Sequence, residues 1–223
     1  DRKNNYDEEI QQKLTNNIHI KDVDFLYLTS TNPAIHAVNI HINDGSIVGF
    51  IGPSGAGKST LINVILGLLE PEKGQVLLNE IDIQNNMRGW QNRIGYVPQS
   101  IYLTDDTLKN NIAFGVPEGE INIKSVSDAI SQSQLKEFVE DLPLGIETVV
   151  GENGVRLSGG QRQRIGIARA LYHHPSVLVL DEATSALDSV TENGIMNTIE
   201  LLHGEKTIII IAHRMSTLKN CDH

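Results

Sequence analysis

Two hydrophobic rhythms alternate along this chain. Residues 18–28 and 34–42 read as strands. In the second, Val38, Ile40 and Ile42 alternate with Asn39 and His41, the period-two pattern of a half-buried antiparallel pair. Residues 46–51 form a short apolar run that ends in a glycine-rich loop. Residues 58–69 then switch to helical spacing, with Leu61, Ile62, Ile65, Leu66 and Leu69 on one face. Pro71 and Gly74 break that pattern, and residues 75–78 begin another strand. Residues 107–141 are mostly helical in pattern, interrupted at 115–119. A glycine-rich stretch at 151–160 follows, then a helix at 161–172 and an apolar strand at 177–180. A helix near 191–202 leads to a last strand at 207–211. The four consecutive isoleucines at 208–211 do not alternate, which is the signature of a central parallel strand covered on both faces.

This order predicts an α/β fold with a parallel sheet, an antiparallel β portion near the N-terminus, and a helical insertion at about 107–170. The chain has 223 residues, 39% of them hydrophobic, enough for one large domain or a domain of two lobes. Residues 1–17 are polar and charged, and are expected to be a linker or tail preceding a domain at 18–223. With 28 acidic against 18 basic side chains the net charge is −10, a poor balance for binding nucleic acid through its phosphates. Any nucleotide must therefore be held by a local constellation. The single cysteine, Cys221, excludes a disulfide framework and a cysteine-based zinc site. No apolar run approaches the roughly 20 residues needed to span a bilayer. The domain is expected to be soluble, with something else holding it at any membrane.

The strongest local signal is Gly52, Pro53, Ser54, Gly55, Ala56, Gly57, Lys58 and Ser59, which matches G-x-x-x-x-G-K-[ST] between a buried strand and a helix. Glycines let successive backbone N–H groups turn inward toward phosphate oxygens, and the helix start adds unsatisfied donors and partial positive charge. Lys58 is placed to reach the β- and γ-phosphates, Ser59 to ligate Mg²⁺, and Thr60 to help hold the α-phosphate. The bland reading is a chance glycine-serine turn, which the flanking strand and helix disfavour. The expected fold is thus a P-loop NTPase core. Downstream, the apolar strand at 177–180 ends in Asp181 and Glu182. Ligands of open α/β sheets sit at the carboxyl ends of strands. Asp181 is expected to bind Mg²⁺ directly or through water, and Glu182 to act as general base on the attacking water. A pair that merely caps the next helix is the competing interpretation.

Between these sites lie Leu157, Ser158, Gly159, Gly160 and Gln161, followed by Arg-Gln-Arg-Ile-Gly-Ile-Ala-Arg-Ala-Leu. Ser158 suits a helix N-cap, and the glycines allow an anion close approach, so the chain carries a second phosphate-binding helix start. Together these motifs closely resemble the ATP-binding cassette (ABC) ATPases, and the resemblance runs from about Ile18 to the end. It implies that two such domains pair head to tail, with the signature loop of one covering the γ-phosphate held by the P-loop of the other. By the same resemblance Tyr27 stacks on adenine, Gln99 contacts Mg²⁺ or the water, Asp188 belongs to the D-loop, and His213 is the switch histidine bonding the γ-phosphate. The remaining histidines, and Arg162 and Arg164, have no comparable setting.

The stretch Thr148-Val-Val-Gly151-Glu152-Asn153-Gly154 resembles a motif of exporter cassettes that touches the membrane domains, with Asn153 where arginine is more usual. The segment 107–115 also resembles the exporter pattern, and 94–115 has a fainter likeness to lipid-linked oligosaccharide flippases. The resemblance implies an ATP-driven motor at the cytoplasmic face of a membrane. It would act with ATP and Mg²⁺, paired with a second ABC domain and with transmembrane domains. Family members continue beyond the equivalent of Asp222, so the C-terminus is expected to be truncated. Two alternatives are a soluble ABC-type ATPase in DNA repair or translation, and a regulatory module that binds ATP without turnover. The first lacks its usual long insertions here, and the second usually lacks the carboxylate at Glu182.

Overall fold

The computed structural model describes residues 15–152, 154–183, 187–212 and 214–223, leaving aside the side chains of Met215 and Ser216. Within them lie two four-stranded sheets. Strands β1 (Ile18–Phe25), β2 (Ile35–Ile42), β4 (Lys73–Leu78) and β5 (Ile81–Asp82) form an antiparallel sheet in the order β2-β1-β4-β5. Strands β3 (Ile47–Ile51), β6 (Ile94–Val97), β9 (Val177–Asp181) and β10 (Thr207–Ala212) form a parallel sheet in the order β3-β10-β9-β6. The expected α/β class, with one parallel and one antiparallel sheet, is therefore what the chain adopts.

The isoleucine run explains itself in this sheet. All six residues of β10 are buried. Ile208 and Ile210 face one hydrophobic core, while Ile209 and Ile211 face the other. Strand β9 divides in the same way, with Leu178 and Leu180 on one side and Val177 and Val179 on the other. Alternation is still present in space, but both faces are dry, so the sequence shows no polar partner. The second core also takes in β1, β4 and helix α1 (Lys58–Ile65), and it thereby binds the antiparallel sheet to the P-loop side of the parallel one.

The first core is shared with the helices. These are α3 (Leu108–Ile112), α4 (Ile123–Gln132), α5 (Lys136–Glu140), α6 (Gly159–Leu171) and α7 (Ser189–Glu200), with α2 (Met87–Gln91) on the opposite side. The predicted helical stretch at 107–141 is thus three separate helices. Two-residue strands β7 (Asp106–Thr107) and β8 (Val149–Val150) pair and tie its two ends together.

Several boundaries differ from expectation, three of them with clear causes. Strand β1 stops at Phe25 instead of 28, because the chain turns there: the Ser30 N–H donates to the Tyr27 carbonyl, and Leu28 stands fully in solvent. Helix α1 stops at Ile65 instead of 69. Gly67 takes a φ of 69°, and the Leu68 N–H reaches back to the Asn63 carbonyl, a left-handed stop that glycine favours. Helix α6 begins two residues earlier than its apolar periodicity shows, because its cap precedes that periodicity.

Candidate functional site

The loop 52–57 leaves β3 and enters α1 through Gly57, whose φ is 85°. A Cβ at Gly57 would lie 2.3 Å from the Ala34 carbonyl oxygen, so both conformation and space require glycine there. No side chain caps α1. Among the described residues nothing accepts from the backbone N–H groups of Gly55, Gly57, Lys58 or Ser59. Unsatisfied loop donors beside a helix start with its dipole are the arrangement that favours an anion. The Lys58 ammonium folds over the loop and donates to the carbonyls of Gly52 (2.8 Å) and Pro53 (2.9 Å). Tyr27, Ser54, Gly55, Gly57, Lys58, Ser59, Thr60 and Glu182 line one cleft of about 300 Å³. Across it the Tyr27 hydroxyl meets the Thr60 hydroxyl at 3.1 Å, and Phe25 packs edge-on against the Tyr27 ring at 4.9 Å.

The opposite wall is the carboxyl end of β9. Asp181 ends that strand, and burial pushes its carboxyl above the usual range, aided by the neighbouring Glu182 charge and opposed by a hydrogen bond from Tyr96 and by Lys58. The Tyr96 hydroxyl donates to Asp181 Oδ2 at 3.2 Å. Burial and then the Asp181 charge raise the Tyr96 phenol to about 12, so it stays a donor at neutral pH. Glu182 has a φ of 50°, uncommon for a non-glycine residue, and its N–H donates to the Ile211 carbonyl. That turn swings the Glu182 carboxylate out of the sheet to meet the Gln99 amide, whose Nε2 donates to Oε2 at 2.6 Å. Gln99 follows β6, the neighbour of β9, so register alone brings the two residues together.

The structure thus gathers Tyr27, the phosphate loop and Glu182 around one cleft, with Gln99 hydrogen-bonded to Glu182 and Asp181 next to it at the end of β9. Among the described residues no group of three or more histidine, cysteine or carboxylate side chains could cage a metal. One carboxylate, the Ser59 hydroxyl and the Gln99 amide are oxygen donors that suit Mg²⁺ completed by nucleotide phosphates and water. His213 and Asn153 lie outside the described residues.

The signature segment lies elsewhere. Ser158 caps α6: its Oγ accepts from the Gln161 N–H (3.2 Å), and the Gln161 side chain accepts from the Ser158 N–H (2.9 Å). Ser158 and Gly159 are exposed, and Gly160 is buried. Leu157 and Arg162 line a different cleft, of about 430 Å³, together with Tyr102, Gly151, Glu152 and Arg156. Gly160 has a second reason to be glycine, since a Cβ there would lie 2.4 Å from Thr191 Cγ2 on α7. Asp188 caps α7. It accepts from the N–H groups of Val190 and Thr191 and from the Thr191 hydroxyl at 2.6 Å, which holds its carboxyl below the usual range. Arg164 donates to the Gln134 carbonyl, bracing α6 against the end of α4.

Sequence reasoning missed Tyr96 and Asn111. Tyr96 sits in an unremarkable strand pattern and acquires its role from the neighbouring strand. Asn111 is fully buried and ties the stretch after Gln99 to α3 and α6.

Comparison with known proteins decides the family. The sequence model of a family described as ABC transporter matches residues 35–185. The chain belongs to the ABC transporter family. Its curated ABC relatives include an ATP-dependent lipid A-core flippase of Cupriavidus pinatubonensis, 42% identical over 90% of this chain and 34% of that protein. Another of the same name, from Vibrio cholerae, is 39% identical over 95% of this chain and 36% of that one. A solved structure of a bacterial Atm1-family ABC exporter with ATP bound superposes with a TM-score of 0.81. It is 36% identical and covers 93% of this chain and 36% of that chain. The chain therefore spans about a third of the length of the ABC proteins it matches. Among the described residues no helix is long and apolar enough to cross a membrane.

Proposed function

We propose that this chain is the ATP-hydrolysing motor of an ABC exporter, working at the cytoplasmic face of the membrane. The observation that carries this reading is the Glu182 carboxylate, turned out of the strand end into the phosphate-loop cleft and held 2.6 Å from Gln99. In this reading the N–H groups of the loop and Lys58 bind the phosphates. Ser59, Asp181 and Gln99 face Mg²⁺, and Tyr27 gives up its edge position to stack on adenine. Mg²⁺, when bound with the nucleotide, supplies charge neutralisation at the phosphates. Glu182 takes the proton of the attacking water, with Gln99 hydrogen-bonded to it, and the role of γ-phosphate ligand falls to His213 by family resemblance.

The separate, exposed, capped start of α6 supports the second half of the proposal. Leu157, Ser158, Gly159, Gly160 and Gln161, with Asp188 nearby, serve the cleft of a second copy arranged head to tail. The cleft of Tyr102, Glu152 and Arg156 then meets the transmembrane domains. The relatives named as lipid A-core flippases favour a lipid-linked cargo for the full protein.

Glu182→Gln tests catalysis. Its amide keeps the size and polarity of the carboxylate but cannot take a proton. ATP affinity should be retained, turnover should fall at least about 100-fold, and an ATP-dependent dimer should accumulate in size-exclusion chromatography. Turnover at the wild-type rate would remove Glu182 as the base. Retained affinity without turnover in the unaltered chain would favour the regulatory-module alternative.

A further inference from the structure

We propose that Tyr96 is a positioning residue for the metal-facing carboxylate: its hydroxyl fixes one oxygen of Asp181 so that the other is aimed at the Mg²⁺ presented with the nucleotide. This rests on the reading above that Asp181 faces the metal. Tyr96 lies on β6, in register with Val179 of β9, two residues before Asp181. Residues two apart share a strand face, so Tyr96, Val179 and Asp181 lie on the same side of the sheet. Val179 packs in the core that contains α1, which identifies this as the phosphate-loop side. The phenol reaches Asp181 Oδ2 at 3.2 Å. Among the described residues no other group donates a hydrogen bond to the Asp181 side chain.

A carboxylate at a strand end rotates about its last torsion, which is broad and has no sharply staggered well. A single well-placed donor on a stiff aromatic side chain removes that freedom. The backbone hydrogen bonds between β6 and β9 fix the phenol relative to Asp181, so a rigid sheet carries the orientation. Partners of metal-ligating carboxylates commonly alter metal affinity by 10–100-fold. Tyr96 is partly exposed and its 3.2 Å bond is long for a phenol–carboxylate pair, so a smaller effect of about three- to tenfold is expected.

Tyr96→Phe removes only the hydroxyl, and unchanged circular dichroism and melting temperature verify the fold. Binding of a fluorescent ATP analogue is titrated in EDTA and then against Mg²⁺. The expected result is unchanged affinity in EDTA, a Mg²⁺ midpoint raised about three- to tenfold, and turnover restored at saturating Mg²⁺. A wild-type midpoint, or an equal loss of affinity in EDTA, overturns the proposal. Asp181→Asn separates the two readings. If it leaves the Mg²⁺ midpoint unchanged, the assignment of Asp181 itself fails. If it shifts the midpoint and Tyr96→Phe does not, only the role of Tyr96 fails.

Discussion

Asn111 offers a test of how the segment after Gln99 is held. Its side chain is fully buried and makes six hydrogen bonds. Oδ1 accepts from the Thr104 N–H (3.0 Å), the Thr104 hydroxyl (3.2 Å) and Arg169 (3.3 Å). Nδ2 donates to the carbonyls of Thr104 (3.0 Å), Thr107 (3.1 Å) and Asp106 (3.3 Å). The Asn111 carbonyl accepts from Arg169 Nε at 2.8 Å, and the same guanidinium reaches the Tyr102 carbonyl at 2.9 Å. Asn111→Ala removes the side-chain bonds and keeps the backbone one. Counting about 1 kcal/mol for each of the three bonds near 3.0 Å, and nothing for the three longer ones, gives a loss of about 3 kcal/mol. With a urea slope of about 2 kcal/mol per molar, the midpoint of unfolding should fall by about 1.5 M. The slope itself should not change. A midpoint shift below about 0.5 M, worth roughly 1 kcal/mol, would refute the view that this asparagine holds the segment. ATP turnover should fall as well, because the loosened segment begins at Thr104, five residues after Gln99.

Two further predictions concern packing and pH. Gly160→Ala places a methyl against Thr191 Cγ2 and should cost about 2 kcal/mol, seen as a melting temperature lower by about 4–8 °C. Adding Thr191→Ser removes that Cγ2, keeps the hydroxyl bonded to Asp188, and should recover most of the loss; no recovery would mean that the α6–α7 contact is not the cause. Asp222 accepts a hydrogen bond from the Ile47 N–H at 2.8 Å, which chiefly holds its carboxyl below the usual range, with His203 adding to the effect. A depressed folded-state pKa contributes stability that is present above the ordinary carboxylate range and is lost as pH falls below it. Thermal unfolding from pH 6 to pH 3 should therefore show an acid-side loss that is smaller in Asp222→Asn, and equal curves would remove the assignment.

Much of this chain is legible in the order of its residues. The phosphate loop is readable because a short contiguous segment makes the whole cradle: the residue types, their order and the strand and helix beside them all lie within it. The isoleucine run at 208–211 announces a central strand for a similar reason, since burial on both faces leaves no place for a polar residue. The end of α1 is harder to read because apolar spacing continues past Gly67, and only the left-handed turn there shows that Leu68 and Leu69 have left the helix. Tyr96 and Asn111 escape sequence reasoning for a different reason. The partner of Tyr96, Asp181, lies 85 positions away in sequence, and Asn111 adds to its bonds with residues 104–107 one from Arg169, 58 positions away; no local pattern records such pairings.

The order of residues thus specifies the chemistry that fits into contiguous segments: a loop for phosphates, a carboxylate pair after a buried strand, and a second helix start with its own cap. Which of these face one another is settled only by the folded chain. The parallel register of β6 and β9 brings Gln99 to Glu182 and Tyr96 to Asp181, while the first turn of α6 opens beside another cleft. The division follows from two kinds of constraint. Side-chain identity fixes what a group can donate or accept. Backbone pairing between distant strands fixes where that group points.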